Sequence, residues 1–99
     1  RDFVYIDDVI SALKHNFKSS NIYNVGTGKP SKVINVIKSI LKNLKIKFKK
    51  NLIKNIKKHK GDTHISYANI DKLKKIGWIP KYNLQKGSKK TISKINSWK

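Results

Sequence analysis

IYNVGTGKPSKVINVI, residues 22–37, is the stretch on which the fold turns. Its first four residues are β-prone, Gly26-Thr27-Gly28 breaks the run, and Pro30-Ser31 opens a segment whose apolar residues recur every three or four positions. Val33, Val36, Ile37, Ile40, Leu41 and Leu44 share one helical face, with Ser31 placed to cap it. A strand, a glycine turn and a helix in that order form half of a βαβ unit, so an α/β architecture is expected.

The flanking sequence extends this pattern. Upstream, residues 3–6 are again β-prone, and Asp7-Asp8 stands where carboxylates meet the open N–H groups of a helix start. Val9, Ile10, Leu13 and Phe17 follow at helical spacing, so the acidic pair reads as a helix N-terminus rather than a catalytic dyad. Downstream, Ile46 and Phe48 alternate with lysines as in a half-exposed strand. Residues 51–60 suit either a weak helix through Leu52, Ile53 and Ile56 or a plain connection; Gly61-Asp62 ends them, and 64–67 reads as extended or irregular. Asp71 is placed to cap a short helix through Ile76 that Gly77 stops, and Pro80 keeps Trp78-Ile79 out of any helix. A last helix over residues 84–97 would pack through Leu84, Ile92, Ile95 and Trp98.

Composition narrows the function. Ninety-nine residues suffice for one domain, residues 1–99, and the opening at Arg1 with no methionine anywhere reads as the interior of a longer protein. The net charge of +19 invites a nucleic-acid partner. Its make-up argues otherwise: lysine supplies all but one of the cations, whereas phosphate and base readers favour the forked arginine. Lysine, isoleucine and asparagine, which share A/T-rich codons, make up nearly half the chain, so codon bias accounts for the charge and no specific nucleic-acid partner is expected. Without cysteine there is no disulfide, thiolate nucleophile or cysteine metal site. His15, His59 and His64 have no carboxylate partners at ligand spacing, so no metal site is expected. No apolar run reaches the ~18–20 residues of a membrane span, and a cytoplasmic location without membrane attachment is the expectation.

Three segments in register carry a family resemblance: RDFVYIDDVISA at residues 1–12, IYNVGTGKPSKVINVI at 22–37, and GDTHISYANIDKLKKIGWIPKYNLQKG at 61–87. Together they resemble the C-terminal third of extended short-chain dehydrogenase/reductases, and within that family the UDP-hexose 4-epimerases. The resemblance implies the last elements of a Rossmann-type domain plus part of a small substrate-binding lobe, in a parent enzyme that is a homodimer. It implies NAD as cofactor, bound by an N-terminal domain outside this chain, and a UDP-sugar substrate whose C4 is oxidised and reduced again on the other face.

On that resemblance Arg1 grips the nucleotide diphosphate, Phe3 and Val33 are apolar nucleotide contacts, and Asp62 meets the ribose. Val33 suits core packing equally well from its place on the helix stripe. His59 stands where the family has a phosphate-holding arginine, with Lys58 and Lys60 as its possible substitutes. Ser66 borders the sugar pocket, where a small residue admits a 2-acetamido group and a tyrosine does not. No catalytic residue is assigned to the chain: the family's pair is Tyr-x-x-x-Lys, and the one match in spacing, Tyr82 with Lys86, falls in the closing segment away from any such context. Gly26-Thr27-Gly28 lacks the third glycine of a dinucleotide fingerprint and reads as a turn. A related dehydratase or decarboxylase of the superfamily is the near alternative, and a basic nucleic-acid-binding module the distant one.

Overall fold

The computed structural model of the chain describes residues 1–15, 21–54 and 65–97. Among these residues four α-helices follow in chain order: α1 (Ile6–Leu13), α2 (Val33–Asn43), α3 (Asp71–Lys75) and α4 (Leu84–Ser97), with a 3-10 turn at Lys50–Leu52 between α2 and α3. Helix α2 packs against α4. A compact centre forms from Ala12 of α1, Leu73 of α3, and Ile70 and Trp78 on either side of α3, with Tyr23, Val25 and Ala68 against it.

The helices follow their apolar spacing, and their ends follow backbone chemistry. Helix α3 stops because Gly77, at φ 99°, lets the chain reverse. The Gly77 N–H donates to the Lys74 carbonyl and the Trp78 N–H to that of Leu73, both at 3.0 Å. This paired closure brings Trp78 back onto Leu73, and both join the core. Helix α2 ends the same way: the Lys45 N–H reaches the Lys42 carbonyl at 3.1 Å, and the Ile46 N–H that of Leu41 at 2.9 Å. There the left-handed position, φ 60°, is held by a lysine, Lys45.

The β half of the α/β expectation is corrected: the described residues contain no strand. Residues 3–5, 21–25 and 46–48 are non-helical but join no ladder. β-Propensity marks a segment able to pair, while the ladder also requires a neighbour at 4.7–4.9 Å, and the described residues supply none. Arg1 and Ser31 do meet: the terminal ammonium of Arg1 donates to the Ser31 carbonyl at 3.1 Å, and the Ser31 N–H to the Arg1 carbonyl at 2.7 Å. The helix starts one residue further on. Lys32 is therefore the N-cap of α2, without a side-chain cap bond, and the Ser31 capping role is not found. Likewise Asp71 is not the cap of α3 but its first residue, and its N–H is taken by Asn69 Oδ1 at 3.0 Å. Residues 84–97 are helical throughout as the spacing predicts, while Phe17, Ile56 and Trp98 lie outside the described residues.

Candidate functional site

Two aspartates organise the cleft without lining it. Asp2 accepts hydrogen bonds from two segments: in the glycine turn, the Thr27 N–H at 2.9 Å together with the Thr27 hydroxyl and the Gly28 N–H at 3.0 Å, and beyond it the Ala68 N–H at 3.1 Å. Burial pushes its carboxyl upward, but the bonds from Thr27, Ala68 and Gly28 more than offset this and hold it below the ordinary aspartate value. Gly26 is what lets the carboxylate come so close, since a Cβ there would lie 2.5 Å from Asp2 Oδ2.

Asp8 does the same work at the other end. It is almost wholly buried in the first turn of α1 and accepts the Lys81 N–H at 2.9 Å and the Tyr82 N–H at 3.0 Å. The segment it holds is further tied to α1 by the Trp78 indole N–H, which donates to Ser11 Oγ at 2.8 Å. The reading of Asp7-Asp8 as a helix start is right for position and incomplete for role. Asp7 stays at the surface, 3.7 Å from Lys94 Nζ.

Between the two held segments lies a cleft of about 690 Å³, within the ~300–1,000 Å³ range of small-molecule sites. One wall is Thr27, Lys29, Pro30 and Ser31, the other Pro80, Lys81 and Tyr82, and Lys38 and Lys42 of α2 add two more cations. Among the described residues, no carboxylate lines it. Phe3 and Tyr82 supply aromatic surface, and Ser31, Asn35, Asn83 and Gln85 supply neutral hydrogen-bonding groups. Such a lining suits an anionic ligand with a planar ring. A second hollow, apolar and about 390 Å³, follows the seam between α2 and α4 and shares Phe3 with the cleft.

The residues singled out from sequence fall unevenly around this cleft. Phe3 lines it. Arg1 is joined to it through the backbone pairing with Ser31. Val33, the first residue of α2, is 56% exposed, so its core-packing alternative is overturned. Ser66 is exposed and outside the cleft lining, two residues before the Ala68 amide that Asp2 holds. His59 and Asp62 lie outside the described residues. Tyr82 precedes α4 instead of sharing it with Lys86, and the cation over its ring is Lys90 at 5.3 Å.

Sequence reading missed Asp2 and the clamping role of Asp8. A signal was present, since only five acids occur among 99 residues and a glycine turn has N–H groups that need an acceptor. The same bonds test the turn as a dinucleotide cradle. Its Thr27 and Gly28 N–H groups already serve the Asp2 carboxylate, so this turn does not fit a cofactor diphosphate. Among the described residues there is no group of three or more metal-ligating side chains, and no helix long and apolar enough to cross a membrane.

Comparison with known proteins shows what the chain is similar to. The chain matches the nucleotide-sugar epimerase/dehydratase family along nearly its whole length. It is 36% identical over 96 residues to a UDP-glucuronate 4-epimerase of Thermodesulfobacterium geofontis, covering 94% of this chain and 29% of that protein. It is 33% identical over 109 residues to UDP-glucuronate 4-epimerase 4 of Arabidopsis thaliana, covering 93% and 24%, and 35% identical over 98 residues to a CDP-abequose synthase of Salmonella muenchen, covering 94% and 33%. The chain thus spans about a quarter to a third of the length of these curated relatives. No protein-family model matches it, and no solved structure matches it significantly.

Proposed function

We propose that this chain supplies sugar-nucleotide contacts in a nucleotide-sugar 4-epimerase whose NAD is held outside these 99 residues. The observation that carries the proposal is the near-complete match of the chain to two UDP-glucuronate 4-epimerases. The lysine-lined cleft supports it, because lysines around Phe3 and Tyr82 offer a diphosphate its counter-charge and a base its stacking surface. Arg1, His59 and Asp62 are proposed as diphosphate and ribose contacts, Phe3 and Val33 as nucleoside contacts, and Ser66 as the sugar-pocket wall. NAD, when bound by the whole enzyme, supplies the oxidation and reduction at the sugar; the residues here bind and orient the nucleotide.

The reading is tested by titrating UDP-glucose, UDP-glucuronate and UDP-N-acetylglucosamine into the chain, with inorganic pyrophosphate as the reference. UDP-sugars should bind more tightly than pyrophosphate and shift the amides of Lys29, Ser31, Lys81 and Tyr82. The chain alone should epimerise none of them. Equal affinity for pyrophosphate and UDP-sugars, or turnover by the chain alone, contradicts the proposal. The similarity to a CDP-abequose synthase favours one second reading, a related enzyme acting on a CDP-sugar, which preferential binding of CDP-glucose would support.

Ser66 offers a sharper test in the whole enzyme. Ser66→Tyr should abolish activity on UDP-N-acetylglucosamine while leaving UDP-glucose activity within about ten-fold, because steric exclusion in a closed pocket exceeds the ~1–3 kcal/mol of one misfitted methylene. Equal losses on both substrates remove Ser66 from the pocket wall.

A further inference from the structure

We propose that Asp2 and Asp8 are positioning residues of the cleft, each fixing one of its walls independently of the other. The inference rests on the sugar-nucleotide reading of that cleft and assigns it two residues that the reading does not use.

The geometry is parallel at the two ends. Asp2 gathers the N–H groups of Thr27 and Gly28, at the start of the wall formed by Thr27, Lys29, Pro30 and Ser31. Asp8 gathers the N–H groups of Lys81 and Tyr82, which are themselves the opposite wall. Neither aspartate lines the cleft, so neither meets a ligand directly. Each carboxylate accepts two or more backbone N–H groups, Asp2 the Thr27 hydroxyl as well, which sets the path of the chain and leaves the lysine and aromatic side chains to face the cleft. Asp2 also holds the Ala68 N–H, and so ties the first wall to the segment carrying Ser66. One carboxylate therefore keeps the proposed nucleotide wall and the proposed sugar wall in register. Where a ligand must touch both sides, displacement of about 1 Å on either side is enough to lose much of the binding and orientation.

The test compares Asp2→Asn and Asp8→Asn in the full chain by amide hydrogen exchange and by UDP-glucose affinity. Asp2→Asn should speed exchange at Thr27, Gly28 and Ala68 while Lys81 and Tyr82 stay protected; Asp8→Asn should give the reverse. Each should weaken UDP-glucose roughly ten- to hundred-fold, whereas Asp7→Asn, at an exposed ion pair, should not. Gly26→Ala provides a second route, because its Cβ would push the Asp2 carboxylate away while leaving every cleft-lining residue intact. It decides the role of Asp2 if Asp2→Asn fails to fold. Uniform deprotection of both walls overturns the proposal, and so does unchanged affinity in a variant whose Thr27 and Gly28 amides have lost protection. Failure of the unaltered chain to bind UDP-glucose overturns the sugar-nucleotide reading first and the positioning role with it, an outcome distinct from either variant result.

Discussion

A side chain on Gly26 would stand 2.5 Å from Asp2 Oδ2 and 2.8 Å from the Ala68 Cβ, closer than real Cβ contacts come. One neighbour is a carboxylate held by several donors and the other a methyl on a tethered segment, so neither can yield cheaply. Gly26→Ala should therefore destabilise the chain by about 1–3 kcal/mol, the usual range for overpacking, read as a lower melting temperature. Unchanged melting would mean that the Asp2 clamp is looser than it stands here. Asp2 also predicts an acid limit. Its carboxyl is held below the ordinary value in the folded state, so the folded state favours the ionised form. Its contribution is complete above the unfolded aspartate pKa of ~3.9 and is lost as pH falls through the depressed folded value. Stability should decline across that window, and Asp2→Asn should remove that part of the decline; an identical acid profile in the variant would count against it. Residue types hinted at this arrangement, because glycines flanking a threonine announce a turn. The acceptor, however, lies 25 residues away in sequence, and no local pattern reports it.

Helices were the legible elements. The apolar spacing of residues 33–44 and 84–97 predicts α2 and α4 because both signals are local, repeating every turn within one segment. The expected strands failed for the opposite reason. Residues 21–25 have the composition of a strand, yet their backbone finds no ladder partner among the described residues, and pairing is a property of two segments. Helix ends were legible where glycine makes them, as at Gly77, and hidden where it does not, as at Lys45. At φ 60° a lysine side chain crowds the backbone at a cost of about 1–2 kcal/mol that glycine escapes, less what glycine loses through a more flexible unfolded chain. Lys45→Gly should thus stabilise the chain by about 0.5–1 kcal/mol. Lys45→Ala removes the same charge but keeps the strain, so it should give no such gain. Equal effects of the two substitutions on the melting temperature would assign the change to charge instead of backbone geometry.

At the scale of the whole molecule, the core is small for the charge it must oppose. Among the described residues only Tyr5, Ala12, Ile70, Leu73 and Trp78 are buried hydrophobics. Ile6, Ile10 and Leu13 run exposed along one face of α1. The Cα radius of gyration is 16.1 Å, with extents of 50 × 38 × 19 Å, against about 13 Å for a compact chain of this length. A net charge of +19 spread over that shape repels itself in the folded state more than in the expanded one. Salt weakens this repulsion, since the screening length falls from about 10 Å at 0.1 M to about 3 Å at 1 M. Exposed hydrophobic residues meanwhile offer binding surface to an apolar dye before unfolding begins. The isolated chain should accordingly melt over a broad range at low salt, with dye bound in the folded baseline. Its midpoint should rise by several degrees between 0.1 and 1 M sodium chloride, because about 1 kcal/mol moves the midpoint ~4–8 °C in a domain this small. Sodium sulfate at matched ionic strength separates screening from burial: it strengthens apolar burial as well, and should raise the midpoint further than chloride does. A sharp melt that neither salt moves, with no dye bound below it, would mean that the small core suffices and that the exposed face of α1 needs no cover.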